Sequence, residues 1–362
     1  MPRTTRQIKV GTVSVGGGAP LSVQSMCSTD TRDIPATLAQ IKRLTAAGCE
    51  IVRCAVPDQA AAQALGAIRA GISIPLIADI HFEYQLALAA LEAGVDGLRI
   101  NPGNIGARWK VAEVVKSCAE HGAPIRIGVN GGSLEKDLLV KYGHPTPAAM
   151  VESALGHVRL LEELNFEQIK ISLKASDIRR TVEAYRLLAS QVDYPLHIGI
   201  TEAGTTWSGT IKSAIGLGAL LYDGLGDTLR VSLTGDPVEE VRVGWEILKA
   251  LNLRERGPVF ISCPTCGRCQ IDLIATAEEV ERRLHDLPVK LTIAVMGCVV
   301  NGPGEAREAD LGIAGGKGQG LLFRQGEIVR KVPQNELADV LVAEAWKMAE
   351  ERQDVRTDQE DQ

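Results

Sequence analysis

This 362-residue sequence predicts a (β/α)8 TIM barrel followed by a smaller α+β module, an α/β architecture overall. Three observations point there. Eight short apolar runs recur between residues 21 and 233, with helix-like segments between them. Each run is β-branched or aliphatic and of the length of a buried parallel strand. From residue 258 the pattern changes, and three cysteines arrive within seven residues.

The runs, in order, are LSVQSM (21–26), EIVRCAV (50–56), PLIADI (75–80), GLRINP (97–102), IRIGVN (125–130), QIKISLK (168–174), LHIGITE (196–202) and TLRVSL (228–233). Before them, IKVGTVSVGGGAP reads as a hairpin that plugs the lower end of the barrel. Between them, 34–48 and 84–94 are amphipathic helices stopped by Gly48 and Gly94, and 147–165 and 177–191 are longer versions. An open doubly wound sheet is the alternative, but eight near-equal units favour closure. EEVRVGWEILKALNL (239–253) ends the barrel, which spans residues 1–253, and RERGP is the linker. The second domain, 258–351, holds a strand VFISC, the cysteines, a helix over 272–287, a strand LTIAVMGC, a hairpin over 320–332 and a helix over 335–351. The polar tail 352–362 is expected to fray. Gly-rich GGKGQG (315–320) reads as a hairpin turn rather than a phosphate loop.

A net charge of −6 argues against a general nucleic-acid binder. No apolar stretch reaches membrane-spanning or signal-peptide length, so a cytoplasmic protein with no membrane partner is expected. In that compartment clustered cysteines read as metal-binding or redox groups rather than disulfides.

The active site of a (β/α)8 barrel lies where its strands end. The strand ends here carry Arg53, Asp79, His81, Arg99, Asn101, Arg126, Asn130, Lys170, Lys174, Glu202, Arg230 and Ser232. Any one arginine is as well matched to a neighbouring carboxylate as to a ligand. Four arginines and a lysine converging on one mouth of an acidic chain point to a multiply charged anion, since guanidinium forks match phosphate oxygens. The mouth therefore reads as a diphosphate site. Lys174 is preferred to Lys170 because it lies at the C-terminal end of its strand, and His81 has a competing reading as a packing residue. Glu202 is the candidate proton donor, provided that a closed site raises its pKa.

Cys263, Cys266, Cys269 and Cys298 suit a four-thiolate zinc site or an all-cysteine iron–sulfur cluster. The turn Gly302-Pro303-Gly304 would swing Glu305 back beside Cys298, a hard ligand suited to one iron that must release it. The scattered Cys27, Cys49, Cys54 and Cys118 read as small apolar packing residues.

Together ADIHF, LRINPGN, IRIGVNGGSLEKDL, ITEAG, DTLRVSL, CPTC and GCVVNGPGE resemble the 4-hydroxy-3-methylbut-2-en-1-yl diphosphate synthase family in its bacterial two-domain form, from about residue 5 to 350. The resemblance implies a barrel that binds 2-C-methyl-D-erythritol 2,4-cyclodiphosphate through Arg53, His81, Arg99, Asn101, Arg126, Asn130, Lys174, Arg230 and Ser232. It also implies a second domain similar to a sulfite-reductase half-module. There a 4Fe–4S cluster is held by Cys263, Cys266, Cys298 and Glu305, with Cys269 outside the ligand set. The implied reaction is a two-electron reductive ring opening with loss of a hydroxyl, in the non-mevalonate isoprenoid pathway. Glu202 would supply the proton, and ferredoxin or flavodoxin the electrons. A homodimer in which one subunit's cluster domain covers the other's barrel is implied as well. Two other readings remain: a zinc-stapled phosphate-binding protein, which needs Cys269 and not Glu305, and a Schiff-base aldolase at Lys174, which leaves the cysteines unexplained.

Overall fold

The computed structural model describes residues 3–298, 304 and 307–360. It divides into two compact units, Met1–Arg254 and Glu255–Gln362.

The first unit begins with an antiparallel hairpin of β1 (Ile8–Val10) and β2 (Val13–Val15). Eight parallel strands follow: β3 (Ser22–Met26), β4 (Ile51–Ala55), β5 (Leu76–Asp79), β6 (Gly97–Ile100), β7 (Ile125–Asn130), β8 (Ile169–Lys174), β9 (His197–Ile198) and β10 (Thr228–Leu229). The helices are α1 (Ile34–Ala46), α2 (Gln59–Ala70), α3 (Tyr84–Glu92), α4 (Pro102–Ile105), α5 (Arg108–His121), α6 (Lys136–Tyr142), α7 (Pro147–Glu162), α8 (Ile178–Ala189), α9 (Thr206–Tyr222) and α10 (Pro237–Ala250). Many start on a side-chain cap. Asp33, Asp58, Asp177 and Asp236, and Thr146 before Pro147, each accept a backbone N–H from the first turn.

The strands run in the order β8-β7-β6-β5-β4-β3-β10-β9. The seam between β8 and β9 is thin, with one bridge (Ile171 to Leu196) and the Ile171 N–H bonded to Pro195 O at 2.9 Å. Above it a tyrosine stands in for the ladder. The Leu173 N–H donates to Tyr185 Oη at 3.0 Å, and that hydroxyl donates to the His197 carbonyl at 2.6 Å. The β1–β2 hairpin closes the floor, where Ile8, Val10 and Val15 pack on Ile51 and Ile77 inside the barrel.

Strands β9 and β10 are shorter than the sequence predicts, and Glu202 consequently lies in a loop rather than at a strand end. The reason is local: at Gly199, just past β9, a Cβ would sit 2.5 Å from the Arg230 carbonyl, so the chains approach too closely for regular pleating.

The second unit is a five-stranded sheet of β11 (Val259–Ser262), β12 (Thr292–Met296), β13 (Leu311–Ala314), β14 (Gln319–Arg324) and β15 (Glu327–Pro333). The first three are parallel and the last two antiparallel to their neighbours. Strand β13 is absent from the sequence expectation because LGIA is short and flanked by glycine. Residues 315–318 connect β13 to β14, whose first two residues are the Gln319 and Gly320 of GGKGQG, and Gln325 and Gly326, both at positive φ, make the two-residue turn between β14 and β15. Helices α11 (Leu273–Leu284) and α12 (Leu337–Glu360) cover the sheet through Val280, Leu284, Leu341 and Ala345. Helix α12 runs past residue 351, where the sequence reading stops it. RQDVRTDQE contains neither Gly nor Pro to end a helix, and Arg352 is ion-paired to Asp310 at 2.5 Å.

Candidate active site

Alternation along the strands sets the barrel's interior layers. Ile51 and Ile77 face the hydrophobic floor, so Arg53 and Asp79, two residues on, face inward one layer higher. Ladder pairing then carries the charge around the wall. Asp79 pairs with Arg99, Arg99 with Arg126, and Arg126 with Lys170, giving one rung of four ionisable residues on β5 to β8. Lys174 lies four residues beyond Lys170 on the same face. Two inward glycines make room for these long side chains. A Cβ on Gly128 would lie 2.5 Å from Arg99 Nε, and one on Gly199 would lie 2.6 Å from Lys174 Nζ.

Six basic side chains, Arg53, Arg99, Arg126, Lys170, Lys174 and Arg230, meet two carboxylates, Asp79 and Glu240. Asp79 lies 3.1 Å from Arg99 Nη1, 3.5 Å from Arg53 Nε and 3.7 Å from His81 Nε2. Burial would raise its pKa, but Arg53, His81 and Arg99 outweigh burial and hold it well below the carboxylate range. Glu240, 4 % exposed on α10, pairs with Arg230 at 3.2 Å and also accepts from Ser25 Oγ and the Leu233 N–H. Met26 Sδ accepts from Arg53 Nη2 at 2.9 Å and from Arg230 Nη1 at 3.6 Å, so a thioether lies between two guanidiniums.

The remaining cations are under-compensated. Burial, and then neighbouring positive charge, lower the pKa of Arg126 and Lys174 well below their ordinary values. The same causes bring Lys170 to about 7. Burial brings Arg53 to about 10 against the pull of Asp79. Arg53 Nη1, Arg99 Nε, Arg126 Nε and Nη1, and Lys170 Nζ are buried and make no hydrogen bond within the described residues. Buried donors without acceptors are costly, and an anion with several oxygens is the ligand that would satisfy them together.

The other sequence-derived candidates fall in different places. His81 is half exposed, 3.3 Å from Arg99 Nη1. Asn130, at the end of β7, pairs with Lys174. Asn101 is buried and spends its carboxamide oxygen on the Gly103 N–H at 3.0 Å, capping α4. Ser232 is partly buried three residues past β10. Glu202 is exposed and holds a left-handed backbone, φ +52°. Its loop is pinned on both sides, by the Thr201 N–H on Ala175 O and the Thr234 N–H on Gly204 O. A non-glycine residue held at positive φ is the kind of strain that accumulates at functional sites. Residue-by-residue reading left Met26, His197 and Glu240 unassigned. His197 carried a faint signal, since it is two residues from Gly199 and so shares its face.

In the second unit, β11 and β12 are parallel partners, which brings Cys263 and Cys298 to the same end of the sheet. The Gly297 N–H donates to Cys263 Sγ at 3.3 Å. Cys266 is exposed, and its thiol is acidified by hydrogen bonds from the backbone and side chain of Arg268. Cys269 differs: its Sγ donates to the Ile271 carbonyl at 3.2 Å and lies against Gly297, where a Cβ would come within 2.6 Å. Among the described residues no three His, Cys, Asp or Glu side chains are gathered as a ready metal site. Glu305 lies outside the described residues. The donor chemistry still fits a soft metal group, with thiols on two adjacent strand ends and the turn between them. Cys27, Cys49, Cys54 and Cys118 are buried in the layer outside the barrel. Among the described residues no helix is long and apolar enough to cross a membrane.

Comparison with known proteins agrees with this organisation. The GcpE TIM-barrel domain matches residues 5–245, and the GcpE protein C-terminal domain matches residues 259–347. Relatives named 4-hydroxy-3-methylbut-2-en-1-yl diphosphate synthase (flavodoxin) include one from Geobacter sulfurreducens, 73 % identical over 97 % of this chain and all of the relative. Others are from Symbiobacterium thermophilum, 62 % identical over 94 % of this chain and 92 % of the relative, and Clostridium perfringens, 61 % identical over 94 % and 97 %. A two-domain match of this extent leaves one assignment: the chain is an enzyme belonging to the GcpE family, the 4-hydroxy-3-methylbut-2-en-1-yl diphosphate synthases.

Proposed function

We propose that this chain converts 2-C-methyl-D-erythritol 2,4-cyclodiphosphate to (E)-4-hydroxy-3-methylbut-2-enyl diphosphate, with flavodoxin as the electron donor. The observation that carries this reading is the set of buried, unsatisfied cationic donors at the end of the barrel, which demands a ligand with many anionic oxygens. The donor assignment is supported by the names of the relatives. A 4Fe–4S cluster held by Cys263, Cys266, Cys298 and Glu305 would supply electrons singly to a reaction that needs two. Cys269 is left out, as the resemblance implies, and its Sγ has a hydrogen-bond partner in Ile271 O.

The protein's own part is binding, orientation and proton supply. Arg53, Arg99, Arg126 and Lys174 hold the two phosphates and neutralise the charge that grows as the ring opens. Arg230, fixed by Glu240, and Ser232 close one side of the mouth. Asn101 and Asn130 border it on β6 and β7, with His81 at the rim. One carbon–oxygen bond to a ring phosphate breaks, the neighbouring hydroxyl leaves as water with one added proton, and two electrons complete the new double bond. Glu202 is the proposed source of that proton, held at the mouth by its strained loop.

The test is made on protein purified without oxygen, by assaying iron and acid-labile sulfide in the wild type, Cys269→Ala and Glu305→Ala. About four of each per chain, kept in Cys269→Ala and perturbed in Glu305→Ala, is expected. A single zinc that is lost in Cys269→Ala would instead leave a zinc-stapled phosphate-binding protein.

A further inference from the structure

Past the guanidinium rung, toward the end of β8, two nitrogen bases meet. Lys174 Nζ lies 3.3 Å from His197 Nε2. Both residues are buried, and His197 Nδ1 has no partner among the described residues. Lys170, on the same face of β8, is fully buried and equally unpartnered.

The groups facing this pair are almost all basic: Lys170 on β8, Arg126 and Arg99 from β7 and β6, Arg53 from β4 and Arg230 just past β10. The carboxylates nearby are committed elsewhere. Asp79 serves Arg99 and Arg53, and Glu240 serves Arg230. Asp227 accepts from Thr5 and the Leu196 N–H. Tyr185 spends its hydroxyl on the backbone, donating to the His197 carbonyl and accepting from the Leu173 N–H. Burial and this surrounding charge push both Lys174 and His197 toward their neutral forms. Two bases in contact can share one proton but resist a second, because like charges in a dry site repel. A bound anion offsets that positive charge and so favours the protonated pair.

We infer that Lys174 and His197 form a proton-sharing pair that takes up a proton from solvent when the mouth binds its anionic ligand. The inference rests on the cyclodiphosphate reading of the mouth. His197 acts as a positioning residue, holding Lys174 Nζ and sharing the proton that makes it an effective phosphate partner. Linkage then requires ligand affinity to fall as pH rises through the range in which uptake occurs. A cyclic diphosphate lacks the second ionisation near 6 of a terminal phosphate, so protons exchanged on binding belong to the protein.

The experiment is calorimetric titration of the unreduced holoenzyme, without electron donor, using 2-C-methyl-D-erythritol 2,4-cyclodiphosphate in buffers of unequal ionisation enthalpy. The expected result is net uptake of about one proton per site, with affinity falling up to about tenfold per pH unit across that range. His197→Gln keeps a hydrogen-bonding side chain that cannot titrate, and its uptake should drop by half or more. Buffer-independent heats in the wild type, or full uptake retained in His197→Gln, would overturn the inference while leaving the ligand reading intact. Absence of cyclodiphosphate binding to the wild type would overturn both. Should His197→Gln fail to fold, Lys170→Met decides: uptake kept in that variant supports the pair, and uptake lost in it, or a flat wild-type affinity profile, counts against the pair.

Discussion

Arg126 is where binding and stability pull apart. It is buried, two of its nitrogens lack partners among the described residues, and its lateral neighbours are Arg99 and Lys170. An unpaired buried cation is destabilising, so function is the reason to keep it. Replacing it with Met should raise stability by about 1–2 kcal/mol, a Tm gain of about 2–4 °C. The same change should weaken binding of the proposed cyclodiphosphate about a hundredfold, the scale of two charge-assisted hydrogen bonds. Thermal melts and binding titrations on the one variant check both, and a loss of stability would mean that Arg126 has a structural partner after all. Asp79 is the opposite case. It neutralises Arg53 and Arg99 at once, so Asp79→Asn should destabilise the empty protein.

Single contacts at the element scale decide how strands and loops are held. Tyr185 bridges the β8–β9 seam with one hydroxyl, donating to His197 O and accepting from the Leu173 N–H. Tyr185→Phe leaves two buried backbone groups unsatisfied and should cost about 1–3 kcal/mol. Hydrogen exchange should show it first at Leu173. Glu135 ties the segment after β7 to α7, lying 2.8 Å from His157 Nε2 and accepting from Ser153 Oγ at 3.0 Å. Burial would raise its pKa, but these partners lower it from the ordinary 4.5 to about 2. A depressed carboxylate stabilises above its unfolded pKa and loses that contribution as pH falls through the folded one. The Glu135 contribution is thus complete above about pH 4.5 and lost toward pH 2. In acid titrations Glu135→Gln should flatten the pH dependence of stability in that window, and an unchanged slope would refute the tie.

On the scale of the whole molecule, the two units keep separate hydrophobic cores, one around the barrel and one between the five-stranded sheet and its two helices. Separate cores predict separate unfolding transitions. Removing the proposed iron–sulfur cluster should lower only the transition of the second unit, because the proposed ligands all belong to it and metal binding free energy becomes folding free energy. Calorimetry with and without an iron chelator checks this, and a shift of both transitions would mean that the units unfold as one.

Much of this was legible in the one-dimensional pattern. Eight apolar runs with helices between them determine the barrel, because strand and helix periods are local properties of the chain. Arg53, Arg99, Arg126 and Lys174 stand out because a charge near the end of a buried strand is costly without a purpose. The floor hairpin could be read in the same way. Only the tertiary structure decided which charges face each other. Asp79, Arg99, Arg126 and Lys170 become one rung through the register of four strands separated by helices, and no local pattern encodes a register. Met26, Glu240 and His197 join the site from distant parts of the chain through ordinary residue types. The orientation of Cys269 belongs here too. Its spacing matches its neighbours, and only the folded turn gives its thiol to the Ile271 carbonyl, because a hydrogen bond depends on direction as well as on distance along the chain.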